Sequence, residues 1–116
     1  MSLTDRFLRY VGVDTQSDHT SDTVPSTPGQ CELAQILNRE LAELGIEHTC
    51  GNGVVYAHLP ATGPGRGEPV GFLAHMDTAE ELTGRNVRPR IIPSYDGGII
   101  RLNDTVSMAP SEFPAL

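Results

Sequence analysis

The stretch Val70-Gly71-Phe72-Leu73-Ala74-His75-Met76-Asp77-Thr78 is an apolar run that ends in a histidine and an aspartate two positions apart. Successive side chains of a strand point to opposite faces, so a strand continuing through this point puts His75 and Asp77 on one face and Met76 on the other. In α/β sheets the ligand crevice lies outside the carboxyl ends of the strands, and a strand over Val70 to Ala74 delivers both residues there. An imidazole that binds a metal commonly gives its other ring N–H to a carboxylate, which fixes the tautomer and raises ligand basicity. Asp77 is therefore a candidate orienter for a candidate ligand, His75. The competing reading is a hydrogen-bonded histidine in a loop. Spacing alone leaves both readings open.

Composition narrows the function class. The 116 residues fit one domain with a modest core. Eight basic side chains, all Arg, against fifteen acidic ones give a net charge of −7. Arg85, Arg88 and Arg90 cluster, but beside Glu80 and Glu81 they read as a charged surface loop, so nucleic acid is not an expected partner. Cys31 and Cys50 lie on different elements in neither a CxxC nor a metal-ligand spacing, and read as two free thiols of a reducing compartment. No apolar run reaches membrane-spanning length, and Asp5, Arg6 and Arg9 interrupt the first segment, which leaves no signal-peptide core. A cytoplasmic chain with no membrane partner is the expectation.

Around the central run the elements fall in order. Ser2, with Asp5 three residues on, caps a first helix whose apolar stripe is Leu3, Phe7 and Val11, with Leu8 or Tyr10 beside them. Gly12 to Pro25, rich in Asp, Ser and Thr, reads as a polar connector with Asp14, Thr15 and Ser17 available for turns. Thr27 at the N-cap, Pro28 at the first helical position and Gln30 closing a capping box open a second helix running to Leu44. Its apolar positions are Cys31, Ala34, Leu37, Leu41 and Leu44, widened by Leu33 and Ile36, and Gly45 ends it. The stripe is expected to pack on the strand ending at Ala74.

Ile46 to Thr49 and Val54 to Leu59 flank Gly51-Asn52-Gly53 as a hairpin, with His58 in the second strand facing solvent or a hydrogen-bond partner; His48 and His19 read the same way. Gly63 to Pro69 is a loop. After Asp77 the chain is polar to Pro93, turns at Asp96-Gly97-Gly98, forms a short strand at Ile99 to Leu102, and shows no clear period from Asn103 to Leu116. A long helix, two β-runs and a site-bearing strand open an α/β layer fold. Beyond His75 and Asp77 no second cluster of His, Asp or Glu presents itself, whereas a catalytic zinc takes about three protein ligands.

Several segments carry a family resemblance: Arg6 to Val11, Asp14-Thr15-Gln16-Ser17, Val24 to Gln30, Gly71 to Thr78, Gly84 to Pro89 and Phe113-Pro114. With these the chain resembles the amino-terminal part of the peptidase T (aminotripeptidase) family, within the co-catalytic zinc exopeptidase group. The His-x-Asp is shared by the wider group; the Asp-Thr-Gln-Ser, Val-Pro-Ser-Thr and Gly-x-Asn-Val-x-Pro pieces point to the tripeptidase branch. The resemblance implies an α/β fold in which residues 1–116 form the N-terminal portion of a catalytic domain, with helices packed on a mixed β-sheet. It implies that His75 is a zinc ligand, that Asp77 is the catalytic aspartate holding that imidazole, and that the complete enzyme binds two zinc ions and a tripeptide. The bridging aspartate and the glutamate pair of the family are expected beyond Leu116.

The function expected from the resemblance is a piece of a metallo-aminopeptidase that removes the N-terminal residue of tripeptides and is inactive alone. Two alternatives stand beside it. One is a non-catalytic module that pairs with a copy of itself as a homo-oligomer to cover apolar surface; the other is a sister deacylase or carboxypeptidase of the same group.

Overall fold

The computed structural model describes residues 1–65 and 67–115; Arg66, in the loop before the central run, and Leu116 lie outside the described residues. The chain is α/β, in the order α1 (Leu3–Tyr10), α2 (Pro28–Glu43), β1 (Glu47–Gly51), β2 (Val54–His58), β3 (Ile100–Arg101) and β4 (Ser107–Met108). Among the described residues β1 pairs with β2 and β3 with β4, each pair antiparallel, and one isolated parallel bridge joins Gln16 to Thr78.

Helix α1 begins as its sequence predicts. Asp5 N donates to Ser2 Oγ (3.1 Å) and Ser2 N to Asp5 Oδ2 (2.9 Å), which closes the capping box. How α1 docks departs from expectation, for Leu3 and Phe7 of the apolar stripe are 86% and 61% exposed. The helix turns Arg6, Arg9 and Tyr10, which share a face at i, i+3 and i+4, toward Glu40 of α2. Arg9 Nη1 lies 2.9 Å from Oε1, Arg6 Nε lies 3.5 Å from Oε2, and the Tyr10 hydroxyl donates to Oε2. Glu40 is 4% exposed, and a buried carboxylate is tolerated when paired and hydrogen-bonded. That requirement sets the face α1 presents. Burial and the adjoining Glu40 carboxylate together raise the Tyr10 hydroxyl above its ordinary pKa.

Helix α2 has Thr27 at its N-cap and Pro28 in its first turn, but the predicted Thr-x-x-Gln capping box does not form. Thr27 Oγ1 donates instead to Gln16 O (2.9 Å), and Gln30 Nε2 reaches Ser26 Oγ (3.1 Å) and Thr15 O (3.5 Å). Both side chains are drawn off the helix end by a loop that runs beneath it. The C-terminus follows expectation: Gly45 adopts φ +67°, its N–H reaches Ala42 O, and Ile46 N reaches Leu41 O, the paired bonds of a Schellman motif.

The face that α2 buries carries Leu33, Ala34 and Ile36, while Cys31 is exposed and Leu44 is 53% exposed. Its partner is the β1–β2 hairpin. Cys50 Sγ lies 3.8 Å from Ala34 O, and His48, Cys50 and Val55 are the half-buried hairpin positions. The hairpin turns at Asn52 (φ +50°) and Gly53 (φ +71°), the two positive φ values of a type I′ turn. A Cβ on Gly53 would come within 2.5 Å of the Pro25 ring, so the turn also needs glycine to lie against the preceding loop.

The central run corrects the expectation most plainly. Val70 to Ala74 pairs with no strand among the described residues, and Val70, Phe72 and Leu73 are 79%, 95% and 99% exposed. The α2 stripe therefore does not pack on it; the hairpin, adjacent in sequence, fills that place. A Cα radius of gyration of 18.2 Å, against about 13 Å for a compact chain of this length, matches so small a buried apolar set. The Asp96-Gly97-Gly98 turn forms as predicted, with Gly97 at φ +80° and Gly98 N donating to Asp96 Oδ1 (2.9 Å). The predicted strand at Ile99 to Leu102 appears as β3, and the tail contributes β4.

Removing one partner of a buried ion pair typically costs 3–5 kcal/mol. Glu40→Ala should fall near the low end, about 3 kcal/mol, because Arg6 and Arg9 keep side-chain exposures of 32% and 40%. Tyr10→Phe should cost about 1 kcal/mol. Urea unfolding of the three proteins followed by circular dichroism checks both values, and equal stabilities would contradict this docking.

Candidate functional site

His75 and Asp77 meet, although no ladder holds the segment between them. His75 Nδ1 lies 3.1 Å from Asp77 Oδ1 and 2.9 Å from Asp77 O. Both neighbours of Nδ1 are acceptors, so the proton that makes either bond sits on Nδ1. In the neutral ring this leaves the Nε2 lone pair free, on a side chain 84% exposed. The Ser17 hydroxyl lies 3.0 Å from Asp77 Oδ2, on the side away from the imidazole. The Ser17 hydrogen bond first, and His75 second, hold the Asp77 carboxyl below its ordinary pKa.

Ser17 comes from the segment that reads as a connector. The structure makes Asp14 to Ser17 the seat of the site. Ser17 N donates to Thr78 O (2.9 Å) and Thr78 N to Thr15 O (3.2 Å), the parallel bridge that brings Asp77 alongside. Beneath the loop, the start of α2 packs so closely that a Cβ on Gly29 would fall 1.7 Å from Asp14 O. Thr15 is 3% exposed in consequence. From the other side Arg85 Nε donates to Asp14 Oδ2 (3.3 Å) and Gln16 Nε2 to Glu80 O (2.8 Å). The Glu80 carboxylate pairs with the His19 ring and backbone N–H.

These contacts border a cleft of about 460 Å³ between the loop and the 80–85 segment. A second cleft of about 280 Å³, between α2, the hairpin and Ala74 to Asp77, is walled by Leu37, Val55 and Met76. The other histidines behave as their positions predict, His58 Nδ1 facing Glu47 Oε2 (3.3 Å) and His48 Nδ1 facing Ile46 O (2.6 Å).

As a metal site the arrangement is partial. His75 offers one free nitrogen with its other nitrogen held by a carboxylate, the donor pattern that suits zinc. Among the described residues no group of three or more His, Cys, Asp or Glu is placed to hold an ion. The residues present fit one ligand and its orienter. Ser17, Asp14 and Gly29 were not singled out by periodicity or spacing. The sequence signal for them is the Asp14-Thr15-Gln16-Ser17 and Val24 to Gln30 segments themselves, which belong to the family resemblance.

Comparison with known proteins accords with that resemblance. The chain is 50% identical over 116 residues to peptidase T of Geobacillus sp. (strain WCH70), covering 97% of this chain and 28% of that protein. It is 51% identical over 118 residues to peptidase T of Geobacillus thermodenitrificans (strain NG80-2) and 47% identical over 118 residues to peptidase T of Bacillus cereus (strain B4264), covering 98% of this chain and 29% of each relative. No family model matches the chain. The chain thus resembles part of peptidase T, as its motifs suggested, and spans under a third of the length of the curated relatives it matches. Among the described residues no helix is long and apolar enough to cross a membrane.

Gly29→Ala should force the first turn of α2 away from Asp14, costing about 1–3 kcal/mol as overpacking does. The loss should appear together with shifted Ser17 and Thr78 amide resonances. Gly63→Ala, where nothing lies within 4 Å of the added Cβ, is the matched control and should change neither. Intact Ser17 and Thr78 resonances in Gly29→Ala would show that the loop does not depend on this contact.

Proposed function

We propose that the chain supplies part of the active site of a zinc-dependent, cytoplasmic aminopeptidase that removes the N-terminal residue of tripeptides. The observation that carries this reading is the His75–Asp77 pair, with Nδ1 facing Asp77 Oδ1 at 3.1 Å and Nε2 free. Three relatives named peptidase T, 47–51% identical to the chain, support the same reading. On this reading His75 Nε2 is a ligand to one of two zinc ions, and Asp77 acts through His75 without touching the metal. Zinc held there would supply Lewis-acid polarisation of the scissile carbonyl and lower the pKa of a bound water.

The chain's own contribution is orientation. Asp77 keeps the proton on Nδ1, so that Nε2 presents its lone pair outward, and its negative charge makes that nitrogen the better donor. The parallel bridge keeps Asp77 in reach, because the backbone on its C-terminal side cannot move without breaking the Ser17–Thr78 and Thr78–Thr15 bonds.

A second reading, the self-pairing module, is favoured by one observation. Phe72 and Leu73 are 95% and 99% exposed, in a run that nothing among the described residues covers. Sedimentation of the chain over a hundredfold range of concentration separates the two. A stable dimer with no effect of His75→Ala supports the module; a peptidase fragment requires His75 in the experiment that follows.

With one candidate ligand where about three are needed, the purified chain should show no zinc-dependent turnover of a tripeptide. Substituted for the matching residues of the Geobacillus sp. (strain WCH70) relative, it should yield a metal-dependent tripeptidase. In that chimera His75→Ala should lose both turnover and metal, while Asp77→Asn, whose amide oxygen still accepts the N–H, should keep most of its metal and lose about 10- to 100-fold in turnover. A folded chimera in which neither substitution alters turnover or metal content would contradict the reading.

A further inference from the structure

Asp77 has two carboxylate oxygens and the structure gives each a different partner. Oδ1 faces His75 Nδ1 at 3.1 Å, and Oδ2 faces the Ser17 hydroxyl at 3.0 Å. Ser17 Oγ also lies 2.9 Å from Thr78 O, but that carbonyl already accepts the Ser17 backbone N–H at 2.9 Å. The hydroxyl has one proton, and a carboxylate is the stronger acceptor. The proton therefore belongs on the bond to Asp77 Oδ2.

Ser17 is itself held on a seat that contacts outside the 75–78 segment also fix. The Gln16 carbonyl accepts from Thr27 Oγ1 at 2.9 Å, Thr15 is 3% exposed, and the backbone of Asp14 lies against Gly29 with no room for a Cβ. The imidazole, by contrast, is 84% exposed and carries no packing of its own to fix it. What orients His75 must come through Asp77. What orients the far oxygen of Asp77 is a residue sixty positions earlier in the chain.

We propose that Ser17 is a positioning residue for the site: its hydroxyl anchors Asp77 Oδ2 so that Oδ1 stays over His75 Nδ1, and it thereby couples the N-terminal end of α2 to the orientation of the imidazole. The proposal rests on the reading of His75 and Asp77 as ligand and orienter. It adds a third member, supplied by the Asp14 to Ser17 loop, to which nothing in the names of the relatives assigns a role. Asp77 O also faces His75 Nδ1, at 2.9 Å, so losing the hydroxyl should weaken the tautomer preference without abolishing it.

The test reads the imidazole directly, in the metal-free chain, by nitrogen NMR of the His75 ring at a pH where it is neutral. Wild type should carry its proton mainly on Nδ1. Ser17→Ala should lower the ratio of Nδ1–H to Nε2–H tautomers about fivefold, the equivalent of one ordinary hydrogen bond. Ser17→Thr, which keeps the hydroxyl, should restore it. The Thr78 amide resonance should be unchanged in both variants, because its bond to Thr15 O is made by backbone groups alone. A wild-type ratio in Ser17→Ala, or a Ser17→Thr variant no better than Ser17→Ala, overturns the proposal, as does a drop in the ratio that comes with loss of the bridge resonances. Asp77→Ala, which removes both carboxylate oxygens, tells the two levels apart. If it shifts the ratio while Ser17→Ala does not, the Ser17 role falls alone; if it leaves the ratio unchanged, the pairing of His75 with Asp77 falls, and the Ser17 role with it.

Discussion

Two backbone hydrogen bonds, Ser17 N to Thr78 O and Thr78 N to Thr15 O, hold together parts of the chain whose other contacts are polar side-chain ones. On one side of this parallel bridge lies α2 with its hairpin; on the other lies the segment that carries His75 and Asp77. A cleft separates α2 from that segment, and the apolar residues Val70, Phe72 and Leu73 that precede it are exposed. Placement of the site therefore depends on a polar junction. Side chains reinforce it from three directions: Thr27 from the helix end, Arg85 from the following loop, and Ser17 at Asp77. Net contributions of about 0.5–1.5 kcal/mol per hydrogen bond make any one of these modest, and their sum comparable to burying one or two apolar side chains.

The features legible in the sequence are those whose partners lie within a few residues. Ser2 and Asp5 close their capping box, Gly45 terminates α2 with φ +67°, and Asn52-Gly53 turns the hairpin, because each is decided by local sterics and short-range hydrogen bonds. The meeting of His75 and Asp77 also follows from their separation of two, although no strand forms there. What was not legible is what sequence distance hides. The Asp14 to Ser17 segment is polar and aperiodic, which is what a connector looks like, and its partners at 77 to 85 are sixty or more positions away. Gly29 looks like a first-turn helix residue until the Asp14 carbonyl is seen against it.

Two corrections share one cause. Helix α1 was expected to bury Leu3 and Phe7 and instead turns Arg6, Arg9 and Tyr10 inward; α2 was expected to cap itself with Thr27 and Gln30 and instead gives both side chains to the loop. In each case a polar group drew the side chains: the buried Glu40 carboxylate in the first, the backbone carbonyls of Thr15 and Gln16 in the second. Leaving such a group unpaired costs more than exposing a leucine. Hydrophobic periodicity identified the helices and their lengths well, but polar satisfaction decided the face α1 turned to α2 and the bonds at the start of α2.

Native-state hydrogen exchange of the Ser17 and Thr78 amides tests the central claim most directly. If the parallel bridge organises the site, both should be protected to the same degree, opening together and close to the amide of Leu37 in the middle of α2. Exchange of Ser17 and Thr78 at the rates of unstructured peptide, while Leu37 remains protected, would mean that α2 and its hairpin fold without holding the site segment, and the account would be wrong.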